Sequence, residues 1–229
     1  MVIWGINPVS EALRADRVRS LRVADRAGAR VLELVAQAER QGLAVRRVPA
    51  QELDRASRGG VHQGVVAEIV ARERYDLTDL VQGDAPPLIV VLDGIEDPHN
   101  VGAIIRSVDA AGASGVVRQE RHAAPLDGAA AKASAGAVSR VRVADVVNIA
   151  RALEDLKAQG VWTVGLDGDA SKRLDDIDLT VPTAIVLGAE GSGLRRLVRE
   201  RCDWLAAIPL KGEVGSLNVS VAAGIALYE

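Results

Sequence analysis

Phenylalanine is missing from this sequence altogether, and three Trp and two Tyr are the only aromatic residues among 229. A core must therefore be assembled from Val, Leu, Ile and Ala. The stacking platforms by which many proteins hold splayed single-stranded bases are mostly unavailable. Cysteine is nearly absent too. Cys202 stands alone, which excludes a disulfide framework and a cysteine-based metal site and leaves its thiol as a small apolar filler at a helix end. His62, His99 and His122 lie far apart, without metal-ligand spacing. No metal is expected, and each ring reads as satisfied or solvent-facing. No apolar run approaches the roughly 20 residues that span a bilayer, and no N-terminal signal pattern is seen. A cytoplasmic protein without membrane contact is expected. Neither a G-x-x-x-x-G-K-[ST] phosphate loop nor a G-x-S-x-G nucleophile elbow occurs.

Hydrophobic residues make up 48% of the chain and charged residues 26%, ordinary for a globular protein with room for one large domain or two modest ones. The net charge of −3 hides a division. Residues 1–75 hold 13 Arg, no Lys and 9 carboxylates, a balance of +4. The remainder holds 15 Lys and Arg against 22 carboxylates, a balance of −7. Arginine's planar fork suits phosphate, so the first segment is the candidate nucleic-acid contact. A well-mixed solvated surface explains the charge equally well.

Asn7-Pro8 ahead of Glu11-Ala12-Leu13 reads as a helix start, with Asn7 as cap and Pro8 in the first turn. Strands over 20–24, 44–48 and 65–70 alternate with helices over 29–41 and 51–56, which makes a small α/β domain over 1–72. Residues 73–87, ending Gly83-Asp84-Ala85-Pro86-Pro87, are polar and broken by Pro and Gly, as linkers are. A second domain over 88–229 follows. Its strands fall at 88–93, 115–118, 161–166, 183–187 and 204–208, and its helices near 101–111, 127–135, 148–159, 194–202 and 217–228. That alternation predicts a mostly parallel sheet covered on both faces.

Chemistry in open α/β sheets gathers in the loops after the strands. Leu187-Gly188-Ala189-Glu190-Gly191-Ser192-Gly193-Leu194 joins an apolar strand to a helix, the setting in which glycines let a ligand reach backbone N–H groups. Yet its glycines run G-x-x-G-x-G, not G-x-G-x-x-G. Glu190 among them would repel a pyrophosphate and suit a cofactor of positive charge, so a dinucleotide-dependent oxidoreductase is disfavoured. The loop over 93–102 leads into an apolar helix in which Asn100 is placed to cap. Arg106 stands there among Val101, Ala103, Ile104, Ile105 and Val108. Such an arginine requires a partner, either a loop carboxylate or a bound anion. In the loop over 208–218, Ser216 and Asn218 stand where the last helix begins. Capping accounts for one of them; two alternate polar side chains beside Gly212 and Gly215 point to a site.

These three loops together carry a resemblance. Asp93-Gly94-Ile95-Glu96-Asp97-Pro98-His99-Asn100-Val101-Gly102-Ala103-Ile104-Ile105-Arg106 resembles the first motif of the SpoU-type RNA 2′-O-ribose methyltransferases. Val186 to Leu194 resembles the second, and Ile208-Pro209-Leu210 through Ser216-Leu217-Asn218-Val219-Ser220-Val221-Ala222 the third. Gly5-Ile6-Asn7-Pro8-Val9 and His62-Gln63-Gly64-Val65 are similar to the ribosomal-protein-like substrate-binding domain of the same family. The branch most resembled methylates a guanosine ribose in 23S ribosomal RNA. One departure lies in the third motif, where Lys211 and Glu213 put charges in the loop.

The resemblance implies an α/β chain in two parts: a small N-terminal RNA-binding domain and a SPOUT domain whose C-terminal segment forms a trefoil knot. It implies S-adenosylmethionine as methyl donor and a homodimer whose site draws on both chains. Ribosomal RNA, or a ribosomal assembly intermediate, would be the substrate. By position, Asn100, Arg106, Glu190, Ser216 and Asn218 match the family's site residues. Leu187, Gly188, Gly191, Ile208, Leu210 and Leu217 match its cofactor contacts. Transfer RNA is an alternative acceptor, because the motifs are shared, and a non-catalytic RNA-binding module is a further alternative.

Overall fold

The computed structural model describes residues 2–14, 16–70, 73–121, 123–126 and 128–229. Three features expected from the sequence lie outside the described residues: His122, the helix start at Asp127 and the domain end at Arg72. The chain divides into two compact units, Met1–Glu73 and Arg74–Glu229.

The first unit runs β1 (Val2–Trp4), α1 (Ile6–Arg14), β2 (Val18–Ala24), α2 (Ala29–Arg40), β3 (Ala44–Val48), α3 (Ala50–Ala56) and β4 (Val65–Ile69). Its sheet has the order β1-β4-β2-β3, in which only β2 and β3 are parallel. Helix α2 buries Val31, Leu34, Val35 and Ala38, the i, i+3, i+4, i+7 stripe that faces a core. Those residues pack with Val9, Ala12 and Leu13 of α1 and with Leu21 and Val23 of β2. Asn7 is not the cap expected of it, because α1 already begins at Ile6, whose N–H is taken by Gln63 Oε1 at 3.0 Å.

The second unit runs α4 (Leu77–Val81), β5 (Leu88–Asp93), α5 (Pro98–Ala111), β6 (Gly115–Gln119), α6 (Gly128–Ala133), β7 (Val143–Val146), α7 (Ile149–Ala158), β8 (Trp162–Leu166), β9 (Thr183–Gly188), α8 (Arg196–Arg201), β10 (Trp204–Ala206) and α9 (Val219–Tyr228). All six strands are parallel, in the order β10-β8-β9-β5-β6-β7. Ile89 and Val91 of β5 join Leu80 of α4, Leu153 and Leu156 of α7 and Val198 of α8 in one cluster. The alternate residues Val90 and Leu92 are equally buried. This is how a parallel sheet covered on both faces reads in sequence. Helices α5 and α9 pack together, and α9 lies against β9. No helix among the described residues is long and apolar enough to cross a membrane.

The structure departs from the expected elements at several places, among them β1, which the sequence reading did not include. The segment expected as a linker contains α4, opened by a capping box between Asp76 and Asp79 and buried through Leu80. Strand β7 was not expected, since Val143–Val146 is short and carries Asp145. The last strand ends at Ala206 rather than Ile208.

The sheet edge is secured by one carboxylate. Asp203 Oδ2 accepts the backbone N–H of Thr163 at 2.9 Å and its hydroxyl at 2.7 Å, while Oδ1 meets Lys157 Nζ at 2.9 Å. Burial alone would raise the Asp203 pKa, but the bonds from Lys157 and Thr163 outweigh it and hold the group below the usual carboxylate value. Next to it the Cys202 thiol donates to the Val198 carbonyl at 3.3 Å. Burial pushes its pKa up to about 12, which makes it the inert filler expected. A depressed carboxylate contributes stability that is present above its unfolded pKa and lost as pH falls through the folded value. Asp203→Asn is therefore expected to cost about 1–3 kcal/mol at neutral pH and to flatten the loss of stability below roughly pH 4. Urea denaturation across pH checks both.

Candidate active site

The glycines of the loop after β9 serve the loop's own backbone. Ala189 and Gly193 form an antiparallel bridge, with Ala189 N–H on the Gly193 carbonyl at 3.1 Å and the return bond at 2.8 Å. Gly191 and Gly193 adopt φ of +80° and +66°, a region that side chains with a Cβ rarely enter. A Cβ on Gly188 would lie 2.2 Å from the Gly193 carbonyl carbon and 2.3 Å from the Leu194 nitrogen. The G-x-x-G-x-G spacing is thus the signature of a strand end folded closely onto its own loop. That fold puts Glu190 at an exposed tip.

The loop over 207–218 ends at Asn218, the N-cap of α9. Asn218 Oδ1 accepts the N–H of Ser220 at 2.9 Å and of Val221 at 3.4 Å, together with the Ser220 hydroxyl at 2.6 Å. Its Nδ2 donates to Asn100 Oδ1 at 2.9 Å and to Glu190 Oε1 at 2.8 Å. One amide therefore joins the loops after β5, β9 and β10. Asn100 is 7% exposed in the first turn of α5. It is not the cap expected from the sequence; Asp97 is, accepting from the N–H groups of His99 at 3.1 Å and Asn100 at 3.3 Å, with Pro98 behind it. Capping by Asp97 leaves the Asn100 side chain free for Asn218.

A second clasp holds the first two loops deeper down. Asp93, the last residue of β5, is fully buried. Its carboxylate accepts the backbone N–H of Arg195 at 2.8 Å and Arg195 Nε at 2.6 Å, and also pairs with a terminal guanidinium nitrogen. Arg195 reaches on to Gln119 Oε1 at 2.9 Å. Sequence reasoning missed this pair. Its signal was present: a carboxylate closing the apolar strand Leu88–Asp93 needs a cation, because an unpaired buried charge is costly.

The remaining expected residues are spread around this core. Ser216 is exposed and has no side-chain hydrogen bond among the described residues. Arg106 is exposed and has neither an ion pair nor a side-chain hydrogen bond among them. Of the two partners that the sequence leaves open for it, a loop carboxylate or a bound anion, no loop carboxylate pairs with it among the described residues. The Leu187 side chain belongs to the core, so only its backbone can face a ligand. Ile208 and Leu217 are half-buried, Leu210 is exposed, and Gly188 and Gly191 shape the loop beside them. Aliphatic side chains that are exposed or half-buried, together with the backbone of a glycine-rich loop, suit a ligand with apolar and hydrogen-bonding parts. S-adenosylmethionine has that chemistry.

Residues 87–228 match the family described as SpoU rRNA Methylase, and residues 2–75 match RNA 2'-O ribose methyltransferase substrate binding. The 23S rRNA (guanosine-2'-O-)-methyltransferase RlmB of Xylella fastidiosa (strain 9a5c) is 45% identical over 234 residues, 99% of this chain and 94% of that one. The protein of the same name from Yersinia pestis is 43% identical over 234 residues, 100% of this chain and 95% of that one. Among solved structures, the SpoU methyltransferase AviRb from Streptomyces viridochromogenes in complex with AdoMet superposes with a TM-score of 0.67 at 26% identity, over 100% of this chain and 88% of that one.

Removing the cation alone from the deeper clasp strands a buried carboxylate. Arg195→Ala should therefore cost about 3–5 kcal/mol, and adding Asp93→Asn should return much of that loss. A double-mutant cycle by chemical denaturation measures the difference; additive losses would mean the two residues are not coupled.

Proposed function

The chain belongs to the SpoU rRNA methylase family, and from that membership we propose that it transfers a methyl group from S-adenosylmethionine to a ribose 2′-hydroxyl, that of a guanosine in 23S ribosomal RNA. The observation that carries the reading is the Asn218 amide, which draws Asn100 and Glu190 into one cluster with itself across three loops. When bound, the cofactor supplies an electrophilic methyl on a sulfonium. The protein's part is to align the hydroxyl with that methyl and to stabilise charge as it develops.

Each residue has a place in this proposal. The backbone of residues 187–191, with Ile208, Leu210 and Leu217, would hold the cofactor. Ser216 would orient the substrate or its loop. Arg106, exposed and without an ion pair among the described residues, would grip an RNA phosphate or the developing alkoxide. A guanidinium resists deprotonation, so Arg106 is not the base, and the hydroxyl proton leaves to a neighbour or to water. The first unit, with its arginine excess, would set the register of the RNA through its phosphates. The substrate would be ribosomal RNA or an assembling ribosomal particle in the cytoplasm.

Two architectural inferences accompany the reaction. The segment through β10 and α9 is proposed to form a trefoil knot. In support, β10 sits at the sheet edge, whereas α9 returns to pack on β9 and α5. The chain is also proposed to act as a homodimer. In support, α9 reads Val-Ser-Val-Ala-Ala-Gly-Ile-Ala-Leu-Tyr without a charge, yet leaves Val221 50%, Ile225 39% and Tyr228 70% exposed. A helix apolar all round is normally covered.

Mapping 2′-O-methyl groups in 23S ribosomal RNA after incubation with enzyme and cofactor tests the reaction. One new methylated guanosine is expected. Methylation of transfer RNA alone would move the acceptor, and transfer to neither would sink the reading. In the same assay Arg106→Lys should lower turnover at least tenfold, since a point charge replaces a fork, with cofactor affinity unchanged. Ile225→Glu is expected to yield monomers in light scattering; a dimer that survives it would mean that α9 is not the interface.

A further inference from the structure

Resting on that reaction, the orientation of the two amides decides which groups are left for the substrate. One end of an amide side chain only accepts hydrogen bonds and the other only donates. At Asn218 the ends are set by the fold, because backbone N–H groups of α9 can only donate, and they meet Oδ1. Nδ2 must then face Asn100 and Glu190. Asn100 is oriented in turn: its Oδ1 is committed to Asn218, and its Nδ2 has no partner among the described residues. Glu190 commits Oε1 in the same way, and its Oε2 has no partner among the described residues.

Two groups therefore remain, a donor on Asn100 and an acceptor on Glu190. Both side chains offer an oxygen to the same nitrogen, at 2.9 and 2.8 Å. Those oxygens are less than about 6 Å apart, so the two side chains stand side by side, and a ribose hydroxyl seated against both would meet a donor on one and an acceptor on the other. Asn218 has spent both of its amide hydrogens on those two oxygens. Arg106 can only donate.

We infer that Glu190 takes the proton from the ribose 2′-hydroxyl during methyl transfer, while Asn100 donates a hydrogen bond to the same oxygen. The 2′-oxygen bonds to the methyl carbon, the bond from that carbon to sulfur breaks, and its electron pair stays on sulfur. The proton passes to Glu190 Oε2 and then to water. Asn218 is a positioning residue that fixes both partners.

Glu190→Gln keeps the oxygen that Asn218 needs and removes the basicity. Turnover is expected to fall between about a hundredfold and ten-thousandfold. The affinity for S-adenosylmethionine, measured by calorimetry, should stay within about threefold of wild type. Glu190→Ala should regain part of its turnover when formate is added as an external base. Turnover of Glu190→Gln within about threefold of wild type would overturn the assignment, as would a tenfold or greater loss of cofactor affinity, which would make Glu190 a counter-ion to the sulfonium. A wild-type protein that methylates no RNA would instead sink the reaction itself.

Discussion

The site depends on one nitrogen atom. Asn218 Nδ2 donates to Asn100 Oδ1 and Glu190 Oε1, and through it three loops from three strands acquire a common geometry. The constraint begins further back. The first turn of α9 has N–H groups without helical partners, and Asn218 Oδ1 satisfies two of them. Helix capping and site assembly are therefore the same event: α9 cannot be capped in this way without also presenting the amide hydrogens to the other loops.

Around that atom the protein relies on stiffness more than on strength. The Asp93–Arg195 pair is buried on the carboxylate side, where the Coulombic gain is largely offset by desolvation. What it adds is a fixed distance between the end of β5 and the stem of the loop bearing Glu190. The loop itself is closed by the Ala189–Gly193 bridge and by the close approach that Gly188 permits. Catalytic geometry tolerates errors well below an ångström, and the Asp93–Arg195 contact ties the end of β5 to the N-cap of α8.

Much of this was legible before any coordinates. Apolar runs at 88–93 and 183–187 become central strands β5 and β9, because parallel strands buried on both faces read as continuous hydrophobic stretches. The amphipathic stripe of α2 was equally plain. Short or charged elements were not: β7 is four residues long and includes Asp145, and α4 hides in a Pro- and Gly-bounded stretch whose signal was the pair Asp76 and Asp79. In sequence the cap of α5 reads as Asn100, three residues late, because Asp97-Pro98 is an equally good cap and only the fold chooses between them.

By itself the sequence determined the class of the fold, the three loops in which the motifs stand and the residue types in them, since strand and helix periodicity and glycine spacing are local properties. Tertiary structure decided what those residues do to one another. Asn100 and Asn218 are 118 positions apart, and Asp93 and Arg195 are 102 apart. No local pattern encodes which end of an amide faces a neighbour. That choice is made only when the N–H groups of α9 meet Asn218 and the parallel sheet brings the ends of β5, β9 and β10 to one edge.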